Sequence, residues 1–287
     1  YGQFSIMPVT GKLVFTEQER ASWFSHKAEI VKPYYYSVYL ADYDVTTEIT
    51  TTERAAHFQI TFPENEQSSI VIDAFDKGSY IKIIPSENKI IGYTTRNSEG
   101  VPDNFKNYFV LLFDKPFATN YTWHDKILEK NKLELTNDHV GAVVGFRTKK
   151  GEKINVKVAS SFISFEQAEL NLVTELGIAS FEQTMTDSKN EWNKVLGKLA
   201  VEGGSDEQLQ TFYSCLYRTV CFPQKHYEID AAGKIVHYSP YNGKVLPGYM
   251  YAGTGFWDTF RALYPLLNLV YPSINREMQE GLINDYE

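Results

Sequence analysis

From Gln3 to about Ser161 the apolar positions come in short bursts with a period near two, separated by turn residues. The clearest runs are Tyr34-Tyr35-Tyr36-Ser37-Val38-Tyr39-Leu40, His57-Phe58-Gln59-Ile60-Thr61-Phe62, Ser69-Ile70-Val71-Ile72, Tyr80-Ile81-Lys82-Ile83-Ile84, Tyr108-Phe109-Val110-Leu111-Leu112-Phe113 and Ile154-Asn155-Val156-Lys157-Val158. Asp76-Lys77-Gly78 and Lys149-Lys150-Gly151-Glu152 read as hairpin-like breaks between such runs. Many short strands with no long helix between them predict a sandwich or barrel, and the number of strands without a regular repeat favours an antiparallel sandwich.

Near Ser164 the period changes to that of a helix. Ser164-Phe165-Glu166-Gln167 offers an N-cap with a polar partner three residues on, followed by apolar positions at Ala168, Leu170, Leu172, Val173 and Leu176 and a stop at Gly177. A second helical run goes from about Phe181 through Trp192, Val195 and Leu199 to Gly203-Gly204. Ser205-Asp206-Glu207-Gln208 opens a third, with an acidic first turn and a stripe of Leu209, Phe212, Tyr213, Leu216, Tyr217 and Val220 closed by Pro223. The stretch 225–248, with Gly233, Pro240, Gly243 and Pro247, reads as loop. After Gly255 the pattern is helical to about Tyr271, with Pro265 placed to kink or split it, and Pro272-Ser273 begins another helix. The division expected is therefore 1–161 a β-sandwich, 162–204 a helical connector and 205–287 the opening helices of a larger helical domain. Three or so helices bury their own apolar faces poorly. That domain is thus expected to be unfinished at Glu287, and the start at Tyr1 rather than Met suggests a trimmed or processed beginning.

Composition narrows the function classes only partly. With 43% hydrophobic and 22% charged residues in 287, the chain has an ordinary globular balance and enough length for two folding units. A net charge of −8 and no basic stripe argue against nucleic acid. No stretch reaches the roughly 20 consecutive apolar residues of a membrane span. The aromatic share of 15% permits carbohydrate stacking but equally serves sandwich cores. Cys215 and Cys221 are too far apart along one helix for a disulfide within it, and read as small buried apolar side chains.

The candidate chemistry concentrates in Gly253-Thr254-Gly255-Phe256-Trp257-Asp258-Thr259-Phe260-Arg261. A glycine-rich approach to a helix start sets an aromatic plane beside a carboxylate. The ring can stack on the apolar face of a sugar while the carboxylate accepts hydrogen bonds from vicinal hydroxyls. The plainer account is that Asp258 caps the helix, Trp257 packs in the core and Arg261 pairs with Asp258. Residue types alone put that account ahead. Other candidates read more plainly still. His26 and Glu29, only two ligands three apart, do not make a metal site and read as a surface or domain-interface pair. His124 and His139 stand isolated, and Glu228, Asp230 and Asn242 read as a solvated loop. Asp42, Asp44, Glu48 and Glu53 read as a strand's wet face rather than a calcium loop. Of Tyr34, Tyr35 and Tyr36, alternation turns at least one inward.

The sequence resembles glycoside hydrolase family 92, the calcium-dependent exo-α-mannosidases, along nearly its whole length. Met7-Pro8-Val9-Thr10-Gly11, Phe24-Ser25-His26-Lys27-Ala28-Glu29, Pro33-Tyr34-Tyr35-Tyr36-Ser37-Val38 and Thr61-Phe62-Pro63 are similar to its N-terminal sandwich. Glu169-Leu170-Asn171-Leu172 and Trp192-Asn193-Lys194 resemble its connector. Phe212-Tyr213-Ser214-Cys215-Leu216-Tyr217-Arg218-Thr219 and Phe256-Trp257-Asp258-Thr259-Phe260-Arg261-Ala262 resemble the first helices of its catalytic domain. Two departures are mild: Pro33-Tyr34-Tyr35-Tyr36 where Gly-Tyr-Tyr is usual, and Arg218 where His is common. The resemblance implies a sandwich, a connector and an (α/α)6 barrel. It implies hydrolysis of terminal α-mannosides with inversion, a mannose-containing glycan as partner and Ca2+ bound to sugar hydroxyls. It also implies a periplasmic, cell-surface or secreted bacterial location. Gly255, Phe256, Trp257, Asp258 and Arg261 would then line the sugar pocket. The acid, base and calcium ligands would lie downstream of Glu287, and this chain alone would be inactive. The rival readings are a carbohydrate-binding or structural module without chemistry, and another inverting sandwich-plus-barrel enzyme such as a disaccharide phosphorylase. The latter needs a phosphate site for which no residue here speaks.

Overall fold

The computed structural model describes residues 4–286. It divides into two compact units, one of Tyr1–Gly100 with Asn104–Ser188, the other of Lys189–Glu287 with Val101–Asp103. The expected beginning at Gln3 and end at Glu287 lie outside the described residues.

Among its described residues the first unit holds fourteen strands. In chain order they are β1 (Ser5–Thr10), β2 (Ile30–Lys32), β3 (Tyr35–Leu40), β4 (Val45–Thr51), β5 (Ala55–Phe62), β6 (Asn65–Asp73), β7 (Ser79–Ile84), β8 (Lys89–Thr94), β9 (Asn107–Phe113), β10 (Thr119–His124), β11 (Ile127–Glu129), β12 (Glu134–Asn137), β13 (Val140–Thr148) and β14 (Glu152–Ser161). They form a five-stranded sheet, β1-β6-β13-β10-β11, and a nine-stranded sheet, β12-β7-β8-β9-β14-β5-β4-β3-β2. Every pair is antiparallel. The facing sides bury one core, with Ile60, Phe62, Ile81, Ile83, Ile90, Phe109, Leu111, Ile154 and Val156 from the larger sheet and Ile70, Ile72, Trp123, Ala142 and Val144 from the smaller. Alternation explains the split: on β14, Ile154, Val156 and Val158 face in, while Ala159 faces out.

Helix α1 (Phe165–Glu175) covers part of that outer side, packing Ala168, Leu172 and Leu176 on Ala55, Val110 and Ala159. Its Ser164 N-cap accepts from the Gln167 amide at 3.1 Å, as the spacing predicts. Helix α2 (Phe181–Leu196) starts against the same face, where the Phe181 ring meets Tyr35 and His57.

The two supposed hairpin breaks correct the sequence reading. Residues 76–78 carry the chain from β6 to β7 and residues 149–152 from β13 to β14, and each pair of strands lies in different sheets. They are corners of the sandwich, tight because Gly78 and Gly151 take positive φ. The cysteines are a second correction. Cys215 is exposed and Cys221 half-buried, because the face of the third helix that carries Cys215 is turned outward.

The second unit contains α3 (Asp206–Thr219), β15 (Gln224–Lys225), β16 (Tyr227–Ile229), β17 (Ile235–Tyr238), β18 (Val245–Pro247), β19 (Tyr251–Ala252), α4 (Phe256–Thr259), α5 (Leu263–Val270) and α6 (Pro272–Tyr286). Helix α3 opens with a full capping box between Ser205 and Gln208. The stretch 225–248 is not a loop: β16, β17 and β18 form a three-stranded sheet, and β15 pairs with β19. Gly233, Pro240 and Gly243 are punctuation between very short strands, while Pro247 ends β18. Asp230 closes the first turn by accepting from the Ala232 and Lys234 amides. Tyr227, Tyr251, Leu267, Tyr271 and Met278 make the buried centre of this unit.

Candidate functional site

The helix expected from Gly255 to Tyr271 is two helices. Pro265 lacks an N–H and its ring crowds the carbonyl four residues back, that of Arg261, so α4 ends and α5 restarts with Pro265 in its first turn. The result is a single exposed turn, Phe256–Thr259, held at both ends. Gly255 caps it with φ 46°, a left-handed conformation that a residue with a Cβ takes only with strain. Thr259 fastens it from below, its Oγ1 donating to the carbonyls of Thr254 at 3.0 Å and Gly255 at 3.1 Å.

On this fixed turn the side chains project outward. Trp257 is 74% exposed and Phe256 60%. Asp258 is exposed as well. Among the described residues Trp257 packs in no core and Asp258 does not cap the helix, since the cap is Gly255 and makes no side-chain bond. Nor does Arg261 pair with Asp258. Its Nη1 donates to the Trp257 carbonyl at 3.1 Å, and its guanidinium lies over the rings of Trp257 and Phe260 at 5.3 and 4.4 Å. Phe260 stacks on Phe256 with centroids 6.0 Å apart, and Phe256 meets Tyr264 at 5.6 Å. The arrangement offers an open aromatic plane, a carboxylate beside it and a ring-and-cation support behind. With α4 four residues long, the helix dipole adds little to the site.

The other candidates take structural places. Glu29 accepts from the Tyr36 hydroxyl and lies 2.6 Å from His26 Nδ1. These bonds, Tyr36's first, hold its carboxyl below the usual range. Tyr36 packs on the sandwich core while Tyr35 bonds Glu48 at 2.7 Å on β4, so alternation places them as expected. Glu228 is a correction, being 3% exposed on β16 rather than solvated. Asn242 accepts from the Lys244 amide, inside a turn. His139 is not isolated. Its Nε2 lies 2.7 Å from Asp73, which also takes Arg20 at 2.6 Å. No short motif reveals this trio, because Arg20, Asp73 and His139 lie in three separate parts of the sequence. Asp285, on α6, has a buried Oδ1 with no partner among the described residues, and burial pushes its carboxyl up.

Known proteins share this build. The glycosyl hydrolase family 92 N-terminal domain matches residues 1–161, and the family's catalytic domain matches residues 167–287. The chain belongs to glycosyl hydrolase family 92. A family 92 inverting mannosidase of Bacteroides thetaiotaomicron superposes on 99% of this chain with a TM-score of 0.96 and 43% identity. A family 92 α-mannosidase of the same organism, in complex with mannoimidazole, superposes on all of it with a TM-score of 0.91 and 26% identity. An uncharacterized secreted glycosidase of Arthroderma benhamiae is 23% identical over 78% of this chain. The chain spans only 38% and 39% of the two solved family 92 proteins and 33% of the Arthroderma relative. Strands β1 to β14 and the helices that follow them are thus those of a family 92 sandwich and the start of its helical domain.

The Ca2+ that the resemblance implies finds no group of three or more His, Cys, Asp or Glu side chains to hold it among the described residues. No helix among them is long and apolar enough to cross a membrane.

Proposed function

We propose that this chain forms the sandwich and the sugar-cradling face of an α-mannosidase that removes terminal α-mannosyl residues with inversion. The observation that carries the reading is an exposed Trp257 plane beside an Asp258 carboxylate that no described residue pairs, on a turn fixed by Gly255 and Thr259, in a family 92 chain. In this reading Trp257 stacks on the apolar face of the terminal mannose and Asp258 accepts from its hydroxyls. Neither transfers a proton. Inversion needs an acid at the leaving oxygen and a base across the ring, about 6.5–9.5 Å apart to admit a water. Asp258 by itself cannot be both, so in this reading the acid and base lie outside these 287 residues. The Ca2+ ligands lie there too, and the enzyme works outside the cytoplasm.

The test uses the product of the complete gene. Asp258→Asn keeps the shape but removes a charged acceptor, a change of about 1.5–3 kcal/mol or roughly ten- to a hundredfold in kcat/KM on an α-mannoside. Trp257→Ala is expected to act at least as strongly, and a calcium chelator to stop turnover until Ca2+ is restored. Equal activity on α-glucosides, or indifference to both substitutions, would defeat the reading.

A further inference from the structure

We infer that Arg261 is a positioning residue for this site, steadying the Trp257 indole while leaving the Asp258 carboxylate unneutralised. This rests on the reading of Trp257 and Asp258 as the sugar-binding pair. Three residues apart on a helical turn, Arg261 and Asp258 are spaced for an ion pair. Among the described residues that pair is not made, and Arg261 has no carboxylate partner of its own. Its guanidinium goes instead to the Trp257 carbonyl at 3.1 Å and lies over the faces of Trp257 and Phe260. A planar, weakly hydrated cation suits such stacking better than an ammonium does.

Two consequences follow from the geometry. The indole is mostly solvent-exposed yet held on one side by a cation that is itself held by Phe260, with Phe256 and Tyr264 behind. Its plane is thus set before a sugar arrives, which lowers the ordering cost of binding. The second consequence concerns charge. An Asp258–Arg261 pair would occupy carboxylate lone pairs that hydroxyls need, whereas the observed arrangement leaves them open.

The experiment measures steady-state kinetics and thermal midpoints of the complete gene product carrying Arg261→Met, Arg261→Lys, Trp257→Phe, and Trp257→Phe with Arg261→Met. Arg261→Met is expected to lower kcat/KM on an α-mannoside about tenfold, mostly through KM, with an unchanged midpoint. Arg261→Lys is expected not to restore it, because an ammonium does not stack on two rings. Combined with Trp257→Phe, the loss should be smaller than the product of the two single losses, since both act through one indole. Full activity of either Arg261 variant, or losses that simply multiply, would overturn the positioning role while leaving the mannosidase reading intact. Should Arg261→Met fail to fold, Arg261→Lys decides alone. A wild-type protein that does not turn over α-mannosides defeats the underlying reading, and this one with it.

Discussion

Asp73 is almost fully buried at one end of the sandwich, between Arg20 at 2.6 Å and His139 at 2.7 Å, and it also accepts from the Phe75 amide. Burial alone would push its carboxyl up, but the bonds from His139 and Arg20 outweigh it and the net direction is down. Removing the charge strands a buried guanidinium, so Asp73→Asn should cost about 3–5 kcal/mol of stability, read from denaturant midpoints. The histidines give the pH dependence two limbs. The Asp73 bond raises His139 above 6.5, so its stabilisation is complete below that value and is lost as pH rises through the raised one. His57 behaves oppositely. Its burial lowers it to about 4, so between about 6.5 and 4 the unfolded chain takes up a proton that the folded chain refuses, and stability falls with pH. Across pH 4–9 the fall in thermal midpoint on the acid side should be shallower in His57→Gln than in the wild type, and that on the alkaline side shallower in His139→Gln. An unaltered profile in both would remove the assignment. None of this was legible in the residues, since His57, Asp73 and His139 meet their partners only through the fold: His57 lies 3.4 Å from Thr184, more than a hundred positions away.

At the scale of elements, local chemistry was the readable part. Ser164 and Ser205 cap the helices that their spacing predicts, and Ser205→Ala should cost about 1 kcal/mol, measurable as a shifted denaturant midpoint with an unchanged slope. Pro265 splits its helix as its chemistry requires. Among the strands outside the clearest runs is β13, whose Val140-Gly141-Ala142-Val143-Val144-Gly145-Phe146 is buried throughout and so shows no alternation. Gly141 is there for a reason that only pairing reveals. It sits opposite Trp123, and a Cβ would run into that indole and the Ile72 carbonyl. Gly141→Ala should therefore destabilise by about 1–3 kcal/mol, more than a surface alanine would. The sandwich corners and the tiny strands of 225–248 were missed for a related reason: glycine and lysine mark a turn but do not say which sheet the next strand joins.

Across the whole molecule, the period of the apolar positions was enough to read a sandwich followed by helices, because each layer's buried face repeats at its own spacing. The site was legible as a motif and not as geometry. Gly255 to Arg261 stood out by residue type, yet the plainer account had Trp257 buried and Arg261 neutralising Asp258, and among the described residues neither is found. The central proposal is that this chain cradles a terminal mannose but does not cleave its bond. Proton NMR of an α-mannoside incubated with the 287-residue chain and, separately, with the complete gene product tests it most directly. The expected result is β-mannose as the first product of the complete protein and no release by the chain alone. Release by the 287 residues themselves, or α-mannose as the first product of the complete protein, would contradict it.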